Sequence, residues 1–212
     1  FMRWLHAPGW PPYFPPQTAA LTLTAPAEAL LAALIGAAER AASPDAVLGG
    51  LDAGATEAAT CFPSWPALQR FHFLDTLVER IKGAAGGSGG AGAAGAGAGG
   101  AHWHRLLAAL DGRYAFSTSR NREIGLRWSL AAVAAGWEAG VPAVRAFLHG
   151  TCKLKYVVPV YRALVKSAVP AIAALAGECY AATRSTMQVP VQSRVDGVFK
   201  AAGVALPASV AV

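Results

Sequence analysis

Asn121-Arg122-Glu123-Ile124-Gly125-Leu126-Arg127-Trp128-Ser129-Leu130-Ala131-Ala132-Val133-Ala134-Ala135-Gly136-Trp137 places Leu126, Leu130, Val133 and Trp137 at steps of four, three and four. That period returns apolar side chains to one side of an α-helix and to neither face of a strand. Glu123 and Arg127, four apart, predict an ion pair on a helix face. The stretch therefore reads as an amphipathic helix.

The same reading extends in both directions. Towards the C-terminus, Val157, Val160, Tyr161 and Leu164 mark one helix, Ile172, Leu175, Ala176 and Cys179 another, and Val191, Val195 and Val198 a last one. Towards the N-terminus lie Leu106, Leu107 and Leu110. Before them, Ser64 as a cap with Pro66 leads into Leu68, Phe71, Leu74, Val78 and Ile81, and Thr24-Ala25-Pro26 opens a helix continued by Leu30, Leu31, Leu34 and Ile35. No segment alternates with period two long enough to make a strand. The fold class is all-α, and about eight short helices joined by brief Gly/Pro turns predict stacked antiparallel pairs in an armadillo/HEAT-like α-solenoid.

Composition fits this class. Hydrophobic residues make up 54% of the 212, but many are alanine, the best intrinsic helix former and a small contributor of buried area. No run reaches the roughly 18 apolar residues of a membrane span, so no membrane is expected. Cys61, Cys152 and Cys179 are widely spaced, with no C-x-x-C pair, which suits a reducing, cytoplasmic setting. The formal charge is +6, yet its lysines and arginines never form the basic runs of a nucleic-acid arm, so no nucleic acid is expected.

Residues 1–20 are dense in proline and aromatic residues and read as an interdomain linker. Phe1 starts the chain and no signal-peptide core follows, so the sequence is expected to be part of a longer polypeptide. Residues 21–212 form a single helical domain with a Gly/Ala insertion at 83–101, too poor in apolar surface to order itself and expected to be flexible. Within it, Gly86-Gly87-Ser88-Gly89-Gly90 matches a nucleophile elbow and Gly95–Gly100 matches G-x-G-x-x-G. Neither follows a strand, so both are accidents of composition.

Several segments resemble one family. Trp4-Leu5-His6-Ala7-Pro8-Gly9-Trp10-Pro11-Pro12 looks like the passage between catalytic and helical domains in zinc aminopeptidases of the leukotriene A4 hydrolase type. Asn121-Arg122-Glu123-Ile124-Gly125-Leu126-Arg127-Trp128 resembles that family's Asn-Ser-Glu-Ile-x-x-Arg-Trp, followed by Gly136-Trp137-Glu138 and Val141-Pro142. Lys153-Leu154-Lys155-Tyr156-Val157-Val158-Pro159-Val160-Tyr161 is similar to its Arg/Lys-x-Lys-Phe/Tyr-x-x-Pro-Leu-Tyr/Phe. The resemblance implies a C-terminal helical domain that packs on an upstream zinc domain of the same polypeptide and closes one side of the substrate cleft. It implies no catalytic residue and no cofactor on this chain. Zinc is expected in the upstream domain, held by His-Glu-x-x-His and a later glutamate. No such motif occurs here, and His102 and His104, two apart, would diverge on a helix. The lysine pair matches aminopeptidase B-like members, and Val189-Pro190 stands where the family commonly has His-Pro.

Lys153 and Lys155 are the candidate substrate-carboxylate site. Two apart on a regular helix, they would diverge by about 200°, so they can converge on one anion only off the helix or at its start. Gly150-Thr151 breaks the preceding helix, and Pro159 suits a first turn. Cations at a helix N-terminus oppose the macrodipole unless an anion sits there. The expected function is that of an aminopeptidase domain binding the free carboxylate of short peptides. The alternative is a non-catalytic helical scaffold for protein partners.

Overall fold

A computed structural model of the chain describes residues 18–52, 62–86 and 98–207. Among these residues the regular structure is entirely helical: α1 (Thr18–Arg40), α2 (Pro44–Asp52), α3 (Ala67–Gly86), α4 (Ala98–Tyr114), α5 (Arg122–Ala134), α6 (Val141–His149), α7 (Leu154–Leu164), α8 (Pro170–Thr183) and α9 (Val189–Ala201), with short 3-10 turns between some of them.

The periodic residues form the core. Leu30, Leu31 and Leu34 of α1, Leu74, Leu77 and Ile81 of α3, Leu106 and Leu107 of α4, and Val157, Val160 and Tyr161 of α7 are all at most 1% exposed. Aromatic residues bind the core along its length. Phe116 lies 4.9 Å from Trp128 and Trp128 5.9 Å from Trp137, while Tyr161, Tyr180 and Phe199 form a second cluster.

Helix pairing follows the solenoid pattern. α1 packs on α3, α3 on α5, α5 on α7 and α7 on α9, so the odd helices make one continuous row. In the second row α2 packs on α4 and α6 on α8. Between α4 and α6 the 3-10 turn Phe116–Thr118 intervenes and touches both. Each helix buries its stripe against near neighbours in the helix order, and no strand occurs among the described residues.

Four local expectations change. α1 begins at Thr18, before the predicted Thr24 start, and carries Pro26 inside it; tertiary packing holds the helix although Pro26 offers no N–H to the preceding turn. The start of α3 is set by the Pro66 carbonyl, which accepts from the N–H groups of Gln69 and Arg70, while Ser64 lies in the turn Phe62–Ser64. Leu68, predicted on the buried stripe, is 73% exposed. Finally, α3 continues through Gly86 and α4 starts at Ala98, so both ends of the predicted 83–101 insertion are helical, in keeping with the propensity of alanine. Residues 87–97 of that insertion and 1–17 of the predicted linker lie outside the described residues.

The end of α5 shows why Gly136 is needed. Trp137 N–H donates to the Ala132 carbonyl and Gly136 N–H to the Val133 carbonyl, with Gly136 at φ 66°. This Schellman arrangement requires a left-handed residue, which glycine adopts without a Cβ clash. It turns the chain so that Trp137 reaches Trp128.

Candidate carboxylate-binding site

The site is assembled at the junction of α6, α7 and the start of α5. α6 stops at Gly150, whose N–H donates to the carbonyls of Ala146 and Phe147. Thr151 and Cys152 follow outside any helix. Lys153 then takes the N-cap position of α7 with φ −76° and ψ 128°, and its carbonyl accepts from the N–H groups of Tyr156 and Val157. A lysine side chain cannot cap the first-turn N–H groups, so the positive end of α7 has no side-chain cap, and its N-cap and second residues are both lysines. The predicted helix start is therefore present. Pro159 does not lie in its first turn: it is the sixth residue of α7, where it leaves the Lys155 carbonyl without the usual i+4 donor.

Lys155 is tied to α5. Its Nζ donates to Glu123 Oε1 at 2.7 Å and sits 4.5 Å from the centroid of the Tyr156 ring. Tyr156 OH donates to the same oxygen at 3.1 Å. Arg127 Nη1 holds the other carboxylate oxygen, Oε2, at 3.0 Å, and Arg127 Nε lies 2.9 Å from Asp75 on α3. Glu123 thus links three helices of the odd row. Its backbone N–H is capped by Asn121 Oδ1 at 3.0 Å, which fixes where the carboxylate stands.

The electrostatics follow from these contacts. The hydrogen bond from Lys155, with those from Arg127 and Tyr156, outweighs partial burial and holds the Glu123 carboxyl down at about 2. The same bond to Glu123, with one donated to Tyr156, raises the Lys155 ammonium above its ordinary value. Lys155 remains 64% exposed, so part of its ammonium still faces solvent. Lys153 is exposed, and its ammonium has no hydrogen-bond or ion-pair partner among the described residues. Chemically the helix start offers two cations and orphan backbone donors to an incoming anion, with Glu123 as a built-in competitor for one cation.

The structure brings Lys153 and Lys155 to one helix end. It also adds Glu123 and Tyr156, which sequence reasoning did not attach to them. Glu123 was legible only as the partner of Arg127, because its link to Lys155 spans 32 residues.

Two histidines make contacts within the fold. His104 Nε2 bonds the Ala135 carbonyl at 2.9 Å and His72 lies 3.1 Å from Glu28. Among the described residues no three His, Cys, Asp or Glu side chains gather in a way that could hold a metal ion. No helix among them is long and apolar enough to cross a membrane.

A continuous row of paired helices, with two lysines at the start of α7, defines an all-α helical-repeat domain. The chain belongs to the leukotriene A4 hydrolase C-terminal family, whose profile matches residues 65–199. It is 30% identical over 199 residues to human aminopeptidase B and 28% identical over 204 residues to the rat protein of the same name. Those matches cover 93% and 96% of this chain but only 26% of each relative, so the chain spans about a quarter of their length. No solved structure matches the chain at comparable significance.

Proposed function

We propose that this chain is the C-terminal domain of a zinc aminopeptidase, forming one wall of the substrate cleft and holding the free carboxylate of short peptides on Lys153 and Lys155. The observation that carries the reading is the start of α7, where Lys153, without a charged partner among the described residues, and a half-exposed Lys155 stand at the positive end of a helix. The names of the relatives supply the reaction class. The described residues contain no donor set that fits zinc, so in this reading the metal and the bond-breaking chemistry belong to an upstream catalytic domain of the same polypeptide. Cys152 and Cys179 are free thiols, which supports a reducing, cytoplasmic setting.

The test is Lys155→Met in the complete enzyme, a change that keeps most of the apolar stem. For a tripeptide with a free C-terminus, kcat/KM should fall by about 10- to 150-fold. A C-terminally amidated tripeptide should be processed almost unchanged. Lys153→Met should act in the same direction but more weakly, as a second point charge. Equal losses on acid and amide would assign the lysine to the fold, and no loss on either would return both lysines to the solvated surface. If the sequence upstream lacks His-Glu-x-x-His, the scaffold alternative takes its place.

A further inference from the structure

A second concavity lies on another face of α5. Arg122, Gly125 and Ser129 recur at steps of three and four, whereas Glu123 and Arg127 mark a different direction around the helix. The cavity encloses about 570 Å³ where the second row of helices is interrupted, between the turn Phe116–Thr118, the start of α5, and α6. That volume is in the range of small-molecule sites.

Its lining divides by chemistry. Phe116, Phe147 and the alanines of α6 make an apolar wall, while Arg120, Arg122, Trp128 and Ser129 contribute hydrogen-bond donors. Among the described residues no acidic side chain lines it. The Trp128 indole N–H is buried without a partner. Ser129 is 2% exposed. The guanidinium groups of Arg120 and Arg122 have no hydrogen-bond partner among the described residues. Gly150 leaves room for Arg122, since a Cβ there would come within 2.7 Å of its Nη1.

Buried polar groups are nearly always satisfied, so the indole N–H of Trp128 beside two exposed arginines asks for a ligand that brings acceptors and negative charge. An inorganic ion would answer the donors but not the apolar side of the pocket, where Ala146 is exposed and Phe116 and Phe147 show 3% and 6% of their surface. We propose that this pocket binds a small organic carboxylate, with its carboxylate on Arg120 and Arg122 and its apolar body against Phe116 and Phe147. The site is separate from Lys153 and Lys155 and does not depend on their role.

The experiment is a titration of the ¹⁵N-labelled 212-residue chain with N-acetyl-leucinate, followed at the indole N–H of Trp128 and the amide of Ser129. Both signals should move and saturate at millimolar concentration. N-acetyl-leucinamide and inorganic phosphate should bind at least about tenfold more weakly. Arg120→Ala, at an exposed side chain, should weaken the acid by about tenfold or more, whereas Lys155→Met should leave it unchanged. The proposal is overturned if neither signal moves, if amide or phosphate binds as well as the acid, or if Arg120→Ala has no effect. Loss of binding in Lys155→Met would overturn it too, by assigning the response to the other site.

Discussion

Glu123 and Lys155 meet at 2.7 Å across the packed pair α5 and α7, and the same carboxylate holds Arg127, which in turn reaches Asp75 on α3. One acidic side chain therefore sets the position of the candidate substrate cation and ties together three consecutive members of the odd row.

Replacing Glu123 with Gln should lower the melting temperature at pH 7 by roughly 2–4 °C, about 1 kcal/mol after allowing for its partial exposure. A carboxyl whose folded value is depressed adds stability that is present above its unfolded value and lost as the pH falls towards its folded one. For Glu123 that window runs from its ordinary 4.5 down to about 2. The gap between wild type and variant should therefore close over that range in thermal melts taken at stepped pH. A gap that persists at pH 2 would place the effect in packing instead of charge.

Gly125→Ala should destabilise the chain despite alanine's better helix propensity. A Cβ at this position would lie 2.8 Å from Cδ2 of Phe147, a buried ring that also makes an edge contact with Tyr156. The propensity gain of up to about 1 kcal/mol is offset by overpacking of about 1–3 kcal/mol. Melting of the single variant should show a net loss, and Phe147→Leu added to it should cost less than Phe147→Leu alone.

Much of this was visible in the order of residues, and the division has a physical cause. Leu126, Leu130, Val133 and Trp137 announced α5, and Gly150 with Thr151 announced the break before α7, because periodicity and chain breakers act within a few residues. Tertiary packing is what the sequence could not express locally. It carries α1 through Pro26 and α7 through Pro159, and it exposes Leu68 at the edge of a buried stripe. The lysine pair was legible as a helix start with surplus charge. Its anchoring by Glu123 was not, since a contact between residues so far apart leaves no trace in spacing. Nor did any pattern mark the donor-lined pocket, which depends on where the turn Phe116–Thr118 sits between helices.

Tyr180→Phe should cost about 1–2 kcal/mol. The phenol is fully buried and donates to Asp196 and towards the Gln192 carbonyl, joining α8 to α9, while Arg184 also holds Asp196 at 3.1 Å. Chemical denaturation of the variant should show a lower midpoint with an unchanged slope. An unchanged midpoint would mean that water replaces the phenol at no loss.

Cys179 should resist alkylation in the folded chain. It is fully buried, and burial pushes its thiol up to about 11, so about one molecule in a thousand is thiolate at pH 8. Iodoacetamide treatment followed by peptide mass spectrometry should label Cys152, which is half-buried, well before Cys179. Denaturant should abolish the difference. Equal labelling without denaturant would show that α8 opens readily.

The continuous odd row also governs how far a local event is felt. Each of its helices packs on the row members before and after it and on near members of the second row, so the row acts as a string of nearest-neighbour couplings in which stiffness is shared mainly with adjacent rungs. An anion captured at the start of α7 would slow amide exchange first in α7, then in α5 and α9, and would leave α1 as labile as before. The domain in this sense senses a ligand along one dimension, with a reach of about one helix to either side.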